Sequence, residues 1–314
     1  MMPFAMMFPG HGSHSLSMLI NIAKNSPIIK ETFSEASDIL KYDLWKLILK
    51  GPLKELNQPR TIQPLLLTSS VAIFRLWKKL GGPTPTILVG HSLGEYSALV
   101  CGETIKFSEA LSLVELRGKM MEEIALKEKG AMLIILGLNK QTIMDICKVQ
   151  ALGQIVTPAI FNSPKQIVIS GHKNAVRRVG WLCKAAGAKI IPFPINICSH
   201  CDVLKPMINP FAKKLEKIPL NIPKIPILND VDVKCEKLPI KIRSVLVRQL
   251  YSPVQWIECV KYIINKQSLN LAVEVGPGHI LRDLTKRITS ALTIISIENY
   301  DKLLLAINTL QSTI

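Results

Sequence analysis

Aromatic side chains are scarce in this chain, at 5% of its 314 residues. A surface that binds nucleic acid by stacking bases needs an interleaved aromatic platform, so that class is not expected. Long apolar runs are also missing. The longest, residues 131–136, falls far short of the ~20 residues that cross a bilayer. Cysteine occurs seven times, but the positions are scattered and the number is odd. That suits free thiols in a reducing compartment and not a disulfide framework. Cys198-Ser199-His200-Cys201 has C-x-x-C spacing, yet no second pair stands at metal-ligand spacing, so no metal site is expected. The opening residues, Met1-Met2-Pro3-Phe4-Ala5-Met6-Met7-Phe8-Pro9-Gly10, have no basic segment ahead of the apolar run. They read as a first buried strand ending in a Pro-Gly turn, not as a signal peptide. A cytoplasmic protein with no membrane partner is the expectation.

Acidic residues are outnumbered, 23 against 39 basic ones, for a formal net charge of +16. The lysines are spread along the chain beside abundant isoleucine, which fits compositional drift. The functional alternative is a basic rim that attracts an acidic partner or phosphate groups. Hydrophobic residues reach 48% and mean hydropathy is +0.28. Such a chain buries a substantial core and is not disordered. Its length allows one large domain or two unequal ones.

The rhythm of the first part, residues 1–125, alternates short apolar runs with helical patterns at 17–23, 28–40, 61–80 and 108–123. That alternation predicts a parallel sheet covered on both faces. From about residue 128 the rhythm changes. Strands are expected at 131–137, 155–161, 166–171 and 189–196, with a turn at 162–164 and helices at 140–150 and 173–186. This βαββαβ order is that of a ferredoxin-like unit. The expected organisation is therefore a larger α/β domain, residues 1–127 and 199–314, interrupted by a small domain at 128–198. Beyond it the sequence predicts helices at 204–217, 243–250 and 256–266, strands at 227–229 and 271–275, and a helix from residue 280.

The stretch Gly90-His91-Ser92-Leu93-Gly94 is the centre of this pattern. An apolar run leads into it and a helix-compatible run leads out, the strand, sharp turn and helix of a nucleophile elbow. Ser92 then projects from the apex, at a helix N-terminus that favours developing negative charge. A serine nucleophile needs a base. The histidines are at 11, 14, 91, 172, 200 and 279. In an elbow His91 points away from the serine and braces the turn. His200 lies where the small unit rejoins the large one, and His279 follows Gly276-Pro277-Gly278, as a hydrolase histidine does. Position favours His200 over His279 only modestly, and both stay open. Acyl transfer also needs two N–H donors for the oxyanion. Leu93 is expected to supply one, and the glycine-flanked turn Pro9-Gly10-His11-Gly12-Ser13 fits the second. Arg117 is either a buried carboxylate fork or an exposed helical residue paired with Glu115 or Glu122.

These residues together form a recognisable set. Phe8-Pro9-Gly10-His11-Gly12-Ser13, Gly90-His91-Ser92-Leu93-Gly94-Glu95-Tyr96-Ser97-Ala98, Glu115-Leu116-Arg117-Gly118-Lys119-Met120, Ser199-His200-Cys201, Leu246-Val247-Arg248-Gln249-Leu250-Tyr251-Ser252-Pro253-Val254-Gln255-Trp256 and Glu274-Val275-Gly276-Pro277-Gly278 follow one another in order. In this the chain resembles, over essentially its full length, the malonyl-CoA:acyl carrier protein transacylases of type II fatty acid synthesis. The resemblance implies an α/β-hydrolase-like large subdomain with a parallel sheet and a ferredoxin-like insertion. It implies that Ser92 carries a malonyl ester, that His200 moves the proton, and that Arg117 clamps the malonyl carboxylate. The N–H groups of Leu93 and His11 would form the oxyanion hole, and Gln249 would support His200 through its main-chain carbonyl. Malonyl-CoA and acyl carrier protein are the implied partners, with no cofactor or metal, no nucleic acid, and a monomeric chain. Two departures stand out. The family usually has glutamine where this chain has His11 and His14, and proline where it has Cys198. The competing expectations are a serine hydrolase or thioesterase using Ser92, Asp230 or Glu274, and His279, and a non-catalytic carrier-protein binder.

Overall fold

The computed structural model describes residues 2–12, 16–194 and 197–312. The first part of the chain gives β1 (Ala5–Phe8), α1 (Leu16–Asn25), α2 (Pro27–Leu40), α3 (Leu44–Lys50), α4 (Leu53–Leu56), α5 (Pro59–Lys79), β2 (Ile87–Gly90), α6 (Gly94–Cys101) and α7 (Phe107–Lys127). Then follow β3 (Gly130–Leu136), α8 (Lys140–Gln150), β4 (Val156–Ser163), β5 (Gln166–His172), α9 (Lys173–Ala185) and β6 (Lys189–Pro192). The last part holds α10 (Ile208–Glu216), β7 (Ile227–Leu228), α11 (Pro239–Gln249), α12 (Trp256–Asn265), β8 (Leu271–Glu274), α13 (Ile280–Lys286), β9 (Thr293–Ser296) and α14 (Tyr300–Gln311).

Two sheets result. One is five-stranded in the order β7-β2-β1-β8-β9, and every pairing in it is parallel. Its central strands β1, β2 and β8 are buried at each position, which is why they read as continuous apolar runs and not as alternations. Helices cover both faces. One of the two longest, α5, is buried along nearly its whole length. The second sheet is antiparallel, in the order β4-β5-β3-β6, the strand order of a ferredoxin-like unit. The α/β class and the pairing of a parallel with a ferredoxin-like sheet are as the sequence implied.

Period-2 side-chain alternation divides the small sheet between two cores. Ile135, Phe161, Ile167 and Ile169 point into a core shared with α8 and α9. Their alternates Met132, Ile160 and Val168 pack into the main core. The small sheet is thus laid against the large one by one face. Ser170, on that same face, accepts the Ser199 N–H at 3.2 Å and stands 3.3 Å from the Cys201 sulfur. These contacts fix the segment that returns the chain to the large sheet.

Some boundaries differ from the sequence reading. The expected turn at 162–164 falls instead at Pro164 and Lys165, because Ser163 still pairs with Gln166. Asn162 is therefore a strand residue. The expected helix over 204–217 is a 3₁₀ turn, Asp202–Met207, followed by α10. Pro206 lacks an N–H and disfavours helix in the residue before it, which splits the segment. The helix expected at 243–250 begins at Pro239, the first-turn position that suits proline. The last expected strand, 189–196, runs to Pro192, and its final two residues lie outside the described residues, as does His14. Among the described residues no helix is long and apolar enough to cross a membrane.

Candidate active site

The site is assembled at the C-terminal ends of the parallel strands, where β1, β2 and β7 release their chains into loops. The turn after β2 is the sharpest. Ser92 has φ +53°, a left-handed conformation that costs a non-glycine residue roughly 1–2 kcal/mol. Its neighbours are glycine because nothing larger fits. A Cβ on Gly90 would lie 2.0 Å from the backbone of Gly94, and one on Gly94 would lie 2.0 Å from the Phe8 carbonyl oxygen. The turn can only exist with β1, β2 and α6 in backbone contact.

Ser92 Oγ lies 2.7 Å from His200 Nε2. The opposite ring nitrogen, Nδ1, faces two carbonyl oxygens, Gln249 at 2.8 Å and Ser252 at 3.2 Å. Carbonyls only accept, so Nδ1 carries the proton and Nε2 presents its lone pair to the serine. Burial first, and then the Arg117 charge, push the His200 pKa down to about 3. The imidazole is thus neutral and able to accept a proton at physiological pH. His200 itself has φ +57° and its N–H is held by the Leu250 carbonyl at 2.9 Å.

Arg117 is buried at 1% exposure, so the exposed alternative is wrong. Glu115 pairs with Lys119 instead. The guanidinium donates from Nη1 to Gln63 Oε1 at 2.8 Å and from Nη2 to Ser92 Oγ at 3.4 Å, and lies over the Tyr96 ring. Its Nε–H has no hydrogen-bond partner among the described residues. Nε and Nη2 together form a planar fork beside the serine oxygen, the shape that takes a carboxylate bidentately.

Behind the serine lies a second polar layer. The Ser92 N–H donates to Asp230 Oδ2 at 2.6 Å. The side chain of Gln249 donates from Nε2 to Glu95 at 2.8 Å, to the Ser92 carbonyl at 3.1 Å and to Asp230 at 3.3 Å. Gln249 therefore holds His200 with its main chain and the serine with its side chain. Glu95 and Asp230 are both buried. Burial raises both carboxyls, Glu95 well above its ordinary value and Asp230 up to about 6.

The other expected residues fall as follows. Leu93 is the N-cap of α6. The amides of Ser92, Gly94, Glu95 and Tyr96 are all used within the turn and by Asp230, and the Leu93 N–H is the one these bonds leave over. His11 lies in the turn after β1, on the wall of a cavity of about 180 Å³ that also contains Gly10, Ser92 and His200. His91 turns away from the serine, as expected, to place Nε2 2.8 Å from Asn162 Oδ1 and its ring against Trp256. His279 is not brought to the site. It is half-exposed beside Glu298 and Asp283, and Glu274 spends its oxygens on the first amides of α13 and on Ser296. The hydrolase order of Ser92, acid and His279 is thereby excluded. Cys198 and Cys201 are buried free thiols.

Sequence reasoning missed Gln63, Glu95 and Asn162, and gave Asp230 the wrong task. Only Glu95 carries a local signal, a carboxylate placed directly after the second glycine of the elbow. The others are distant in sequence from Ser92, and their neighbourhoods are unremarkable in composition.

Comparison with known proteins agrees with this geometry. An acyl transferase domain family matches residues 5–293. The malonyl CoA-acyl carrier protein transacylase of Escherichia coli is 51% identical over 294 residues, 93% of this chain and 95% of that protein. The solved structure of the malonyl CoA-acyl carrier protein transacylase from Coxiella burnetii matches with a TM-score of 0.96 at 44% identity, over 99% of this chain and 98% of that one. A malonyl-transacylase solved in complex with its type II PKS acyl-carrier protein matches with a TM-score of 0.95 at 48% identity, over 98% of this chain and 99% of the matched chain. With a catalytic-type Ser-His pair, a buried guanidinium fork and likeness along nearly its whole length, the chain belongs to the malonyl CoA-acyl carrier protein transacylase family of acyl transferases.

Proposed function

We propose that this chain moves a malonyl group from malonyl-CoA to the phosphopantetheine thiol of acyl carrier protein, by way of an ester on Ser92. The observation that carries this reading is the pair of contacts at one oxygen. Ser92 Oγ has a neutral imidazole nitrogen at 2.7 Å and a buried guanidinium nitrogen at 3.4 Å. A base there serves any acyl transfer. A desolvated cation beside it serves an acyl group that ends in a carboxylate.

In the first half-reaction Ser92 gives its proton to His200 Nε2 as Oγ bonds to the thioester carbon. The tetrahedral oxyanion is held by the N–H groups of Leu93 and His11. Collapse breaks the carbon–sulfur bond, and the departing CoA thiolate takes the proton back from His200. In the second half the carrier thiol gives its proton to His200 and attacks the ester carbon, and the Ser92 oxygen leaves and recovers that proton. Arg117 holds the malonyl carboxylate through Nε and Nη2 during both halves. An acetyl group leaves that buried fork unpaired and is disfavoured for that reason. The ester is transferred and not hydrolysed to the extent that the buried site excludes water.

Ser92, His200, Arg117, Gln249, Leu93 and His11 supply every group these steps use, so the reading calls for no cofactor, with CoA entering as substrate. It describes a cytoplasmic, monomeric enzyme without a nucleic-acid partner. The basic excess of the surface suits the phosphates of CoA and an acidic carrier. In this reading residues 128–198 form the inserted domain that roofs the cleft. Intact-mass measurement after mixing with malonyl-CoA tests the proposal. A malonyl adduct is expected on the wild type and none on Ser92→Ala. An adduct that survives the substitution overturns it.

A further inference from the structure

Two carboxyl groups lie side by side, fully buried, on the far side of the nucleophile, and the transfer chemistry just described gives neither of them a part. We propose that Glu95 and Asp230 share one proton and act as a single positioning unit for Ser92, in which the Asp230 carboxylate anchors the Ser92 N–H and Glu95 keeps the proton.

The strained backbone of Ser92 must be held by its surroundings. It is held at both ends by this cluster. Asp230 Oδ2 accepts from the Ser92 N–H at 2.6 Å, and Gln249 Nε2 donates to the Ser92 carbonyl at 3.1 Å. The same Gln249 nitrogen is fixed by Glu95 at 2.8 Å and Asp230 at 3.3 Å, and the Gln249 carbonyl fixes the His200 tautomer. The acid pair therefore sets the positions of both reacting side chains, through one bond to the serine backbone and one residue on α11.

Two carboxyls in contact at this depth cannot both ionise. The donors decide which one does. Each carboxyl accepts two N–H groups, Asp230 from Ser92 at 2.6 Å and Gln249 at 3.3 Å, Glu95 from Gln249 at 2.8 Å and from the Asp230 main chain at 3.4 Å. The shortest falls on Asp230, where the Ser92 and Gln249 bonds and the Arg117 charge oppose the rise that burial causes. Burial first, and then the Asp230 carboxylate, push Glu95 well above the ordinary range. With the proton on Glu95, its carboxyl is the O–H donor of the pair and the Asp230 carboxylate the acceptor, while the Asp230 main-chain N–H donates back to Glu95 Oε2 at 3.4 Å. The other groups facing the pair are Arg117 from α7, Tyr96 from α6 and Cys259 from α12. Of these only Arg117 is charged, since burial drives the Tyr96 hydroxyl and the Cys259 thiol upward. The single negative charge of the pair thus offsets the single positive charge of the fork.

A pH signature follows. Asp230 is pushed up to about 6, while His200 is pushed down to about 3. As pH falls through the region of 6, Asp230 gains the second proton. Its bond to the Ser92 N–H then passes from charge-assisted to neutral and weakens. The imidazole remains unprotonated over that range, so the acid limb of serine acylation belongs to Asp230.

The inference rests on the acyl-transfer reading for its readout, and the two can fail separately. The experiment is the rate of malonyl-adduct formation on Ser92 from pH 5 to pH 8, by quenched mass measurement, for wild type, Asp230→Asn and Asp230→Ala. An amide oxygen at position 230 still accepts the Ser92 N–H but does not titrate. Asp230→Asn is therefore expected to move the acid limb to lower pH, and Asp230→Ala to slow acylation about 100-fold at pH 8, the scale of a displaced catalytic group, with the deficit against wild type narrowing toward pH 5. Should Asp230→Ala fail to fold, the shift in Asp230→Asn decides alone. An acid limb that stays in place in Asp230→Asn overturns the inference and leaves the transfer reading intact. Absence of any wild-type adduct at any pH overturns the transfer reading itself.

Discussion

The strands β1, β2 and β8 of the parallel sheet are four residues long and buried at every position. The strands β3, β4 and β5 of the antiparallel sheet run for seven or eight residues and divide their side chains between two cores. The short strands carry the chemistry. The ends of β1, β2 and the neighbouring β7 place His11, Ser92 and Asp230 around one point. The long strands supply a wall. Ile134, Ile160 and Val168 line the cavity above Ser92, and Ser170 pins the segment that delivers His200. A parallel sheet collects loop residues at its C-terminal edge because all its strands end on the same side, and ligands bind there. An antiparallel sheet sends alternate strand ends to opposite sides, so it offers a face and not an edge. The difference predicts that damage to the first sheet's loops costs rate, while damage to the second sheet's own core costs stability.

The largest effects are expected beside Ser92. Replacing the serine removes the adduct altogether. Arg117→Ala is expected to lower kcat/KM for malonyl-CoA by roughly 100-fold, the order of about 2–3 kcal/mol lost with a buried charge-assisted pair. The acetyl-CoA rate should change far less. Side-by-side kinetics with the two thioesters check this, and an unchanged ratio removes the fork from the specificity argument.

Next in size is Ile169→Ala. Ile169 is fully buried in the core that the small sheet shares with α8 and α9. Truncation of a buried isoleucine costs about 2–5 kcal/mol. Urea unfolding should show that loss while serine acylation of the folded protein stays near the wild-type rate. A rate loss as large as that of Arg117→Ala would break the division of labour between the sheets. Asn162→Ala sharpens it from the other side. Asn162 comes from β4 but faces His91 in the elbow, so its removal is expected to cost about 1–2 kcal/mol of stability through an unpaired buried imidazole. A small loss of acylation rate should accompany it, measured on the same samples.

The same contrast explains what could be read in the sequence. Elements with a strong local signature were legible. The elbow shows itself because a strained serine turn demands glycines at fixed offsets, and the small sheet because four strands and two helices alternate within one continuous segment. His200 and Arg117 were nominated but not decided, since exposure and pairing depend on packing from elsewhere in the chain. The terminal pieces β9 and α14, and the short α3 and α4, went unread. The short pieces α3, α4 and β9 have too few residues to establish a period and exist because neighbouring elements cover them, whereas α14 carries Leu303, Ala306, Ile307 and Leu310 at helical spacing and was open to reading. Asp230 gives no signal of its place for a reason similar to that of the short pieces. It stands 138 positions from the amide it accepts, and in sequence it looks like any acid after a strand.

The smallest effect expected is the most discriminating between the two histidines that the sequence left open. His279 stands just before α13 at the C-terminal edge of the same parallel sheet, so position in the fold alone does not disqualify it. Its surroundings do. The side chain is 49% exposed, with Glu298 at 3.1 Å and Asp283 at 3.6 Å, and exposed pairs of this kind contribute about 0–1 kcal/mol. Being close to a sheet edge is therefore not enough. A residue must also be buried against the elbow, as His200 is by the carbonyls of Gln249 and Ser252. His279→Ala is expected to leave acylation unchanged and stability within about 0.5 kcal/mol of wild type, whereas His200→Ala should stop acylation. Acylation lost in His279→Ala and kept in His200→Ala would reverse the assignment of the base and return the site to hydrolase logic.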